Sequence, residues 1–173
     1  MGRQDVVVAY IGLGSNLATP ALQVRSLMRA LAALPLTRRI QCSSLYRSHP
    51  IGEVTDQPDF INAVCRLETS ATASELMQAL LALENEHGRV RDGQKGGPRI
   101  ADLDLLLYGD RVQQTSDLIL PHPRMHARAF VLYPLHELAP GLVIPGKGAV
   151  AALLACCGGQ IVERLPSETS TVV

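Results

Sequence analysis

The chain has no tryptophan, and its aromatic side chains are two phenylalanines, Phe60 and Phe130, and four tyrosines. Any site that stacks on a flat ring must draw on those six. Lysine is as scarce: of the sixteen cationic residues only Lys95 and Lys147 are lysine, and the others are arginine. Neither sign of charge is in excess, because sixteen Asp and Glu balance the cations. Nucleic acid or an anionic membrane would favour a basic face, so neither is expected as a partner. A local cationic pocket for a small anion remains compatible with that balance. Long apolar runs are missing too. The longest covers residues 149–157, well short of the roughly 20 residues that span a bilayer. No apolar segment of secretory type precedes the first strand-like run, and a cytoplasmic location is expected. The four cysteines, Cys42, Cys65, Cys156 and Cys157, show no C-x-x-C and no paired Cys/His spacing for zinc. Reduced, buried thiols are expected instead.

What is present suits one globular domain: 173 residues, 47% of them apolar, leave ample material for a core. A β-branched run over residues 6–11 reads as a buried strand ending at Gly12. Thr19 and Pro20 supply an N-cap and a first helical residue. Val24, Leu27, Met28 and Leu31 follow at helical spacing, up to Pro35. Residues 40–47 and 60–67 read as strands on either side of an exposed loop, 48–58. Thr72 and Glu75 make a capping box for a helix that Gly88 ends. Residues 89–98, with three glycines, form a mobile loop, and residues 100–108 a strand that turns at Gly109. A helical stretch is expected from Met125, interrupted or restarted at Pro134, and a last one over 149–156. From Pro166 to the end, residues 166–173, the chain reads as a frayed tail. The order β-α-β-β-α-β is the ferredoxin-like one. The expected architecture is therefore a single α+β domain over residues 1–165. It would have a βαββαβ core with additional C-terminal helices, in three αβα layers.

The strongest chemical signal lies at residues 97–107, GPRIADLDLLL. Alternation along a strand places Asp102 and Asp104 on one face, about 6.7 Å apart, with the leucines 103, 105 and 107 on the other. Two adjacent carboxylates on an apolar strand call for a cation between them, and hard oxygen donors favour magnesium or calcium. The alternative is that each Asp pairs with an arginine. Arg99, Arg89 and Arg91 lie close in sequence, and such a set suits a ligand with several phosphates as well as it suits surface ion pairs. Gly12-x-Gly14 fails as a dinucleotide fingerprint, because Leu17 stands at the third glycine position and no acidic residue ends the next strand. It reads as a tight turn, with Ser15 or Asn16 able to line a nearby site. His122, between Pro121 and Pro123, suits a positioned donor to an anion or an ordinary turn. Phe60 and Phe130 read as core, or as two rings flanking a flat heteroaromatic ligand whose edge Asn62 would meet.

The string KGGPRIADLDLL at residues 95–106 resembles the signature of the 6-hydroxymethyl-7,8-dihydropterin pyrophosphokinase family. The resemblance extends over AYIGLGSNL (9–17), SSLYRS (43–48), DQPDFINAV (56–64), ENEHGRVR (84–91) and PHPRM (121–125). It implies an enzyme of folate biosynthesis that moves the pyrophosphoryl group of ATP to the hydroxymethyl of the dihydropterin and releases AMP. By that resemblance Asp102 and Asp104 hold two Mg2+. Arg89, Arg91, Arg99, His122 and Arg128 contact or neutralise ATP. Phe60 and Phe130 sandwich the pterin, whose polar edge meets Ser48, Ile51 and Asn62. Glu84 and Leu105 belong to the nucleotide side. Arg89, Arg91 and Arg99 join the two aspartates as the catalytic set. ATP and 6-hydroxymethyl-7,8-dihydropterin are the implied small-molecule partners of a monomer. The sequence departs from the family pattern at Gly96, where a bulky aromatic is common, at Lys95 in place of arginine, and at Asp92. A glycine-rich loop with fewer anchors implies less complete closure over ATP. A protein of the same fold that binds pterin and nucleotide without transfer is the alternative. His49 has no counterpart in this pattern.

Overall fold

The computed structural model describes residues 5–167 of the chain. Its centre is an antiparallel pair, β1 (Val7–Ser15) and β4 (Phe60–Thr69), in continuous register from Val7 opposite Thr69 to Ser15 opposite Ile61. β5 (Asp102–Tyr108) flanks β1 on the other side and is the sheet edge. β2 (Thr37–Cys42) and β3 (Tyr46–Ser48) share the remaining edge of β4. The strand order β2-β4-β1-β5 is that of the expected ferredoxin-like core. Helices α1 (Pro20–Ala32) and α2 (Ala73–Glu86) cover one face, where Leu27, Leu31, Leu76 and Leu80 meet Ile11, Leu103 and Leu105. Helices α3 (Ala129–Leu138) and α4 (Val150–Ala155) cover the other, with Leu132, Leu135 and Val150 against Tyr10, Val64 and Leu106. Two small ladders brace the connections: β6 (Gln113–Gln114) with β7 (Ile119–Leu120), and β8 (Val143–Ile144) with β9 (Gly148–Ala149). β10 (Val162–Arg164) extends the main sheet beyond β3. The α+β class and the three layers are as the sequence implies.

Several local expectations are corrected. β1 runs through Gly12 and Gly14 to Ser15 instead of turning there. At Gly14 the glycine serves close approach: a Cβ there would lie 3.3 Å from Asn62 Oδ1, whereas one on Gly12 would meet the Leu106 side chain at an ordinary 3.5 Å. The expected strand over 40–47 is broken at residues 43–45, where the Ser43 hydroxyl accepts the Val64 N–H in place of a ladder carbonyl (3.0 Å). Thr19 precedes α1 in the left-handed region, φ 61°, and its side chain caps nothing. The Thr72–Glu75 capping box at α2 is present on both sides. α3 starts at Ala129 and passes through Pro134 without interruption, after a 3-10 turn at Met125–Ala127.

Leu107 packs under α3 and α4, not under α1 and α2 with Leu103 and Leu105. Tyr10 pairs with Leu107 and Ile11 with Leu105, so Leu106 is an extra residue, a bulge that reverses the alternation after it. The thiols are not all free. Cys42 and Cys65 stand opposite each other across β2 and β4 and form a disulfide. Cys157 is free and buried, Cys156 free and exposed. Leu165, the residue before the expected tail, is held by its N–H to the Leu45 carbonyl (2.8 Å), and residues 168–173 of that tail, 166–173, lie outside the described residues.

Candidate active site

Asp102 and Asp104 share a face of β5 because Leu103 and Leu105 are drawn into the core below. Opposite them on β1 stand Gly14 and Gly12, so no β1 side chain covers the carboxylates. Both oxygens of Asp102 are engaged: Arg89 Nη1 donates to Oδ1, and Arg99 Nη1 donates to Oδ2 at 3.0 Å. For Asp102, the ion-pair alternative left open by the sequence is realised. Asp104 differs. Its nearest ionisable neighbour is His122, whose Nε2 lies 3.9 Å from Oδ1. Loss of hydration, and then the Asp102 carboxylate, push the Asp104 carboxyl above the usual carboxylate range. Burial, and then the Arg128 charge, push His122 down to about 4. A neutral imidazole at neutral pH corrects part of its expected role: it offers a hydrogen bond, not a charge.

Glu84 is corrected as well. It is 2% exposed and stands outside the walls of the two cavities described below, under the site. Its Oε1 accepts from Leu103 N (2.8 Å), an N–H on the edge strand, and from Arg89 Nη1 (2.9 Å); its Oε2 accepts from Arg91 Nη2. Glu84 therefore orders two arginines and offers no free oxygen to a nucleotide. Burial holds its carboxyl above the ordinary range despite both guanidiniums. The Leu105 side chain is likewise in the core, so its expected contact with ATP cannot be a side-chain contact.

Two cavities adjoin above these residues. The first, about 310 Å3, is walled by Phe60, Phe130, Ser48, Ile51 and Asn62, with Asp102 at its base. The guanidiniums of Arg99 and Arg128 each lie 5.5 Å from a ring centroid, over Phe60 and Phe130 respectively. Asn62 Nδ2 donates to Ser48 Oγ (2.8 Å), which turns the Asn62 carbonyl and the Ser48 hydroxyl hydrogen toward other partners. The second cavity, about 410 Å3, is walled by Arg89, Arg91, Arg99 and Arg124 with the loop 92–98. Lys95, Gly96, Arg99 and Arg124 belong to both walls. One cavity is therefore ring-lined and the other cationic.

Two side chains join the loops around the cavities. Gln57 Nε2 donates to Val54 O and Gly96 O, both at 2.7 Å, and its Oε1 accepts from Asn16 Nδ2 at 2.9 Å. Asn16 in turn accepts the Arg99 N–H (2.9 Å). Asn16 is buried and serves as a joint, not as the cavity lining that its position after Gly14 suggests. His49 Nδ1 lies 2.7 Å from Asp59 Oδ1, tying together the two ends of the loop 49–59 at the rim of the first cavity. Arg124, Gln57 and Glu53 were not among the expected site residues. Arg124 lies four residues before Arg128, a spacing that could have grouped the two. Gln57 lies within the segment 56–64 but draws no role from it, because two of its three side-chain partners, Asn16 and Gly96, are 41 and 39 residues away in the chain.

The donor set can be tested against a metal. Among the described residues no group of three or more His, Cys, Asp or Glu is placed to hold an ion. Asp104 makes no side-chain hydrogen bond among the described residues, and Asp102 would share its oxygens with Arg89 and Arg99. Such a pair fits magnesium, which takes one or two carboxylates and fills its other positions with water and phosphate oxygens.

The model of one protein family, 7,8-dihydro-6-hydroxymethylpterin-pyrophosphokinase (HPPK), matches residues 10–140. The chain belongs to the HPPK family. Among curated HPPK relatives, the 2-amino-4-hydroxy-6-hydroxymethyldihydropteridine pyrophosphokinase of Pseudomonas aeruginosa is 47% identical over 157 residues. That match covers 91% of this chain and 96% of the relative. The enzyme of the same name from Haemophilus influenzae is 43% identical over 149 residues, 86% of this chain and 92% of the relative. Solved HPPK-DHPS structures share the fold. One in complex with substrates has a TM-score of 0.63 at 12% identity, over 87% of this chain and 43% of that one. The wild-type Plasmodium falciparum HPPK-DHPS with pterin and p-hydroxybenzoate gives 0.65 at 13%, over 88% and 42%. This HPPK chain thus spans less than half the length of those structures. No helix among the described residues is long and apolar enough to cross a membrane.

Proposed function

We propose that this HPPK site works as two adjoining compartments, a ring-lined one for the pterin and a cationic one for the nucleotide phosphates, with Asp102 on the wall of the first and Asp104 two residues further along β5. Pyrophosphoryl transfer from ATP to hydroxymethyldihydropterin, in folate biosynthesis, is the reaction of the family. The observation that carries the residue-level reading is the shared wall itself. A hydroxymethyl on a ring held in the first cavity points toward phosphates held in the second. Such alignment, with charge neutralisation, is most of what phosphoryl transfer asks of a protein.

In this reading Phe60 and Phe130 flank the pterin, and the Asn62 carbonyl, the Ser48 hydroxyl and Ile51 meet its edge. Arg89, Arg91, Arg99 and Arg128 bind phosphate oxygens, the first two held in place by Glu84. His122 adds a hydrogen bond from a neutral ring. Asp102 and Asp104 would hold two Mg2+, which supply charge stabilisation across the phosphate oxygens. The hydroxymethyl oxygen then bonds to the β-phosphorus as the bond from that phosphorus to the oxygen bridging the α-phosphate breaks; the hydroxyl proton passes to water, and AMP leaves. The same reading takes residues 1–165 as one pyrophosphokinase domain, acting as a cytoplasmic monomer.

The test is AMP formation from ATP, magnesium and 6-hydroxymethyl-7,8-dihydropterin, with and without the pterin. The wild type is expected to form AMP only with the pterin present. Asp104→Asn is expected to lower kcat by a factor on the order of a hundred, as for loss of a transition-state electrostatic group. Because the Asp104 side chain makes no hydrogen bond among the described residues, the melting temperature of the variant should change little. Undiminished turnover in this variant would remove the metal role. Binding of both ligands without AMP would favour the alternative of a binding protein, with Gly96 in the loop as the place to look.

A further inference from the structure

Arg89, Arg91 and Arg99 each hold a carboxylate, on Glu84 or Asp102. Arg124 is different. Its backbone is fixed, the N–H on His122 Nδ1 (3.2 Å) and the carbonyl on the Ala127 N–H (3.2 Å), yet its exposed guanidinium meets no hydrogen-bond or ion-pair partner among the described residues. It stands on the walls of both cavities. Only Lys95, Gly96 and Arg99 share that position, and Arg99 is already committed to Asp102 and to the Gly97 carbonyl (3.3 Å). The Arg124 charge also disfavours the cationic forms of His122 and Arg128 nearby.

We propose that Arg124 is a further phosphate-binding residue, closing on the diphosphate as it passes from the nucleotide cavity to the pterin. The inference rests on the two-compartment reading above. A group that touches both cavities at their common wall must itself bridge them, and in this reaction that group is the transferred diphosphate. A guanidinium offers it a forked pair of donors, matched to two phosphate oxygens. The alcohol substrate carries no phosphate, so Arg124 has nothing to hold on it. The diphosphate product carries two.

The experiment compares the wild-type chain with Arg124→Ala and Arg124→Lys. Fluorescence titration with the pterin diphosphate, without ATP or metal, reads product affinity independently of turnover. Arg124→Ala is expected to weaken product binding about tenfold and to lower kcat about tenfold, the effect of one charge-assisted contact. KM for the pterin alcohol and the melting temperature should stay at their wild-type values, and Arg124→Lys should fall between. Product affinity and kcat both within twofold of wild type in Arg124→Ala would overturn the proposal. So would an equal loss of affinity for alcohol and diphosphate, which would mean that Arg124 only shapes the pterin cavity. A wild type that forms no pterin-dependent AMP would defeat the catalytic reading, whereas the product titration would still decide on Arg124.

Discussion

Glu84→Gln is a substitution whose consequences can be worked oxygen by oxygen. Leu103 N and Arg89 Nη1 both donate to Oε1, and Arg91 Nη2 donates to Oε2. A glutamine can keep its carbonyl at Oε1 and so keep the first two bonds. Its amide nitrogen then faces Arg91 donor to donor, and Arg91, already half exposed, swings into solvent. Burying a neutral amide instead of a carboxylate also removes a desolvation cost of several kcal/mol, which offsets the lost attraction. The expected net change in unfolding free energy is under about 1 kcal/mol. Glu84→Leu removes every acceptor, leaving a buried N–H (about 1–3 kcal/mol) and one guanidinium with a single remaining carboxylate, for a total of about 3 kcal/mol or more. Activity should divide the other way. Freed Arg91 is no longer aimed into the nucleotide cavity, so Glu84→Gln should raise KM for ATP about tenfold, one charge-assisted contact's worth, with KM for the pterin unchanged. Urea denaturation and steady-state kinetics measure the two. The pH dependence adds a sign. A carboxyl held above its ordinary range weakens the fold as pH rises through that range. Relative to the wild type, Glu84→Gln should therefore fare better at neutral pH than near pH 4, within the ordinary titration range of a carboxylate. If Glu84→Gln proves as unstable as Glu84→Leu, or leaves KM for ATP untouched, the separation of these roles is wrong.

Gln57→Ala removes three bonds that link Asn16, Val54 and Gly96. It should cost about 1–2 kcal/mol and raise KM for both substrates, because Gly96 stands on both cavity walls. Amide exchange should quicken over residues 51–58 and 92–97 together, and exchange unchanged in one of these segments would count against the joint. Glu137→Gln probes the far end of α3 from the site. Burial raises the Glu137 carboxyl, but bonds from Tyr46 OH (2.6 Å), Ser44 N (3.0 Å) and Ser44 Oγ (2.9 Å) outweigh it, and the group titrates below its ordinary value of 4.5. Its contribution is present above that value and lost as pH falls through the folded one. Wild-type stability should therefore fall more steeply than that of Glu137→Gln between about pH 5 and 3, and parallel curves would refute this.

The element order was legible because it rests on local signals: Pro20 at the start of α1, the Thr72–Glu75 box, and the two-residue alternation that turned both aspartates to one side of β5. The disagreements come from partners distant in sequence. No local pattern announces that Ser43 takes the Val64 N–H across the sheet and breaks an edge strand, or that register brings Cys42 to Cys65. The extra residue at Leu106 is equally silent in a run of three leucines, any of which fits either face. In the site, the family motifs brought forward the residues that surround the two cavities. They set Glu84 on the nucleotide side, although its carboxylate is taken by Arg89, Arg91 and an edge N–H, and they include Arg124 and Gln57 without giving either a role.

The bulge at Leu106 divides β5 into two strands out of phase with each other. Before it, the two carboxylates share one face, with Asp102 on the wall of the first cavity, and the leucines face the α1–α2 core. After it, Leu106 and Leu107 both serve the layer under α3 and α4. A regular strand would couple these tasks, since a one-residue slip to improve packing at one end would turn the aspartates into the core at the other. The bulge takes up that slip. Sequence change beneath α3 can accordingly re-tune the second core, length included, while the orientation of Asp102 and Asp104 stays as it is.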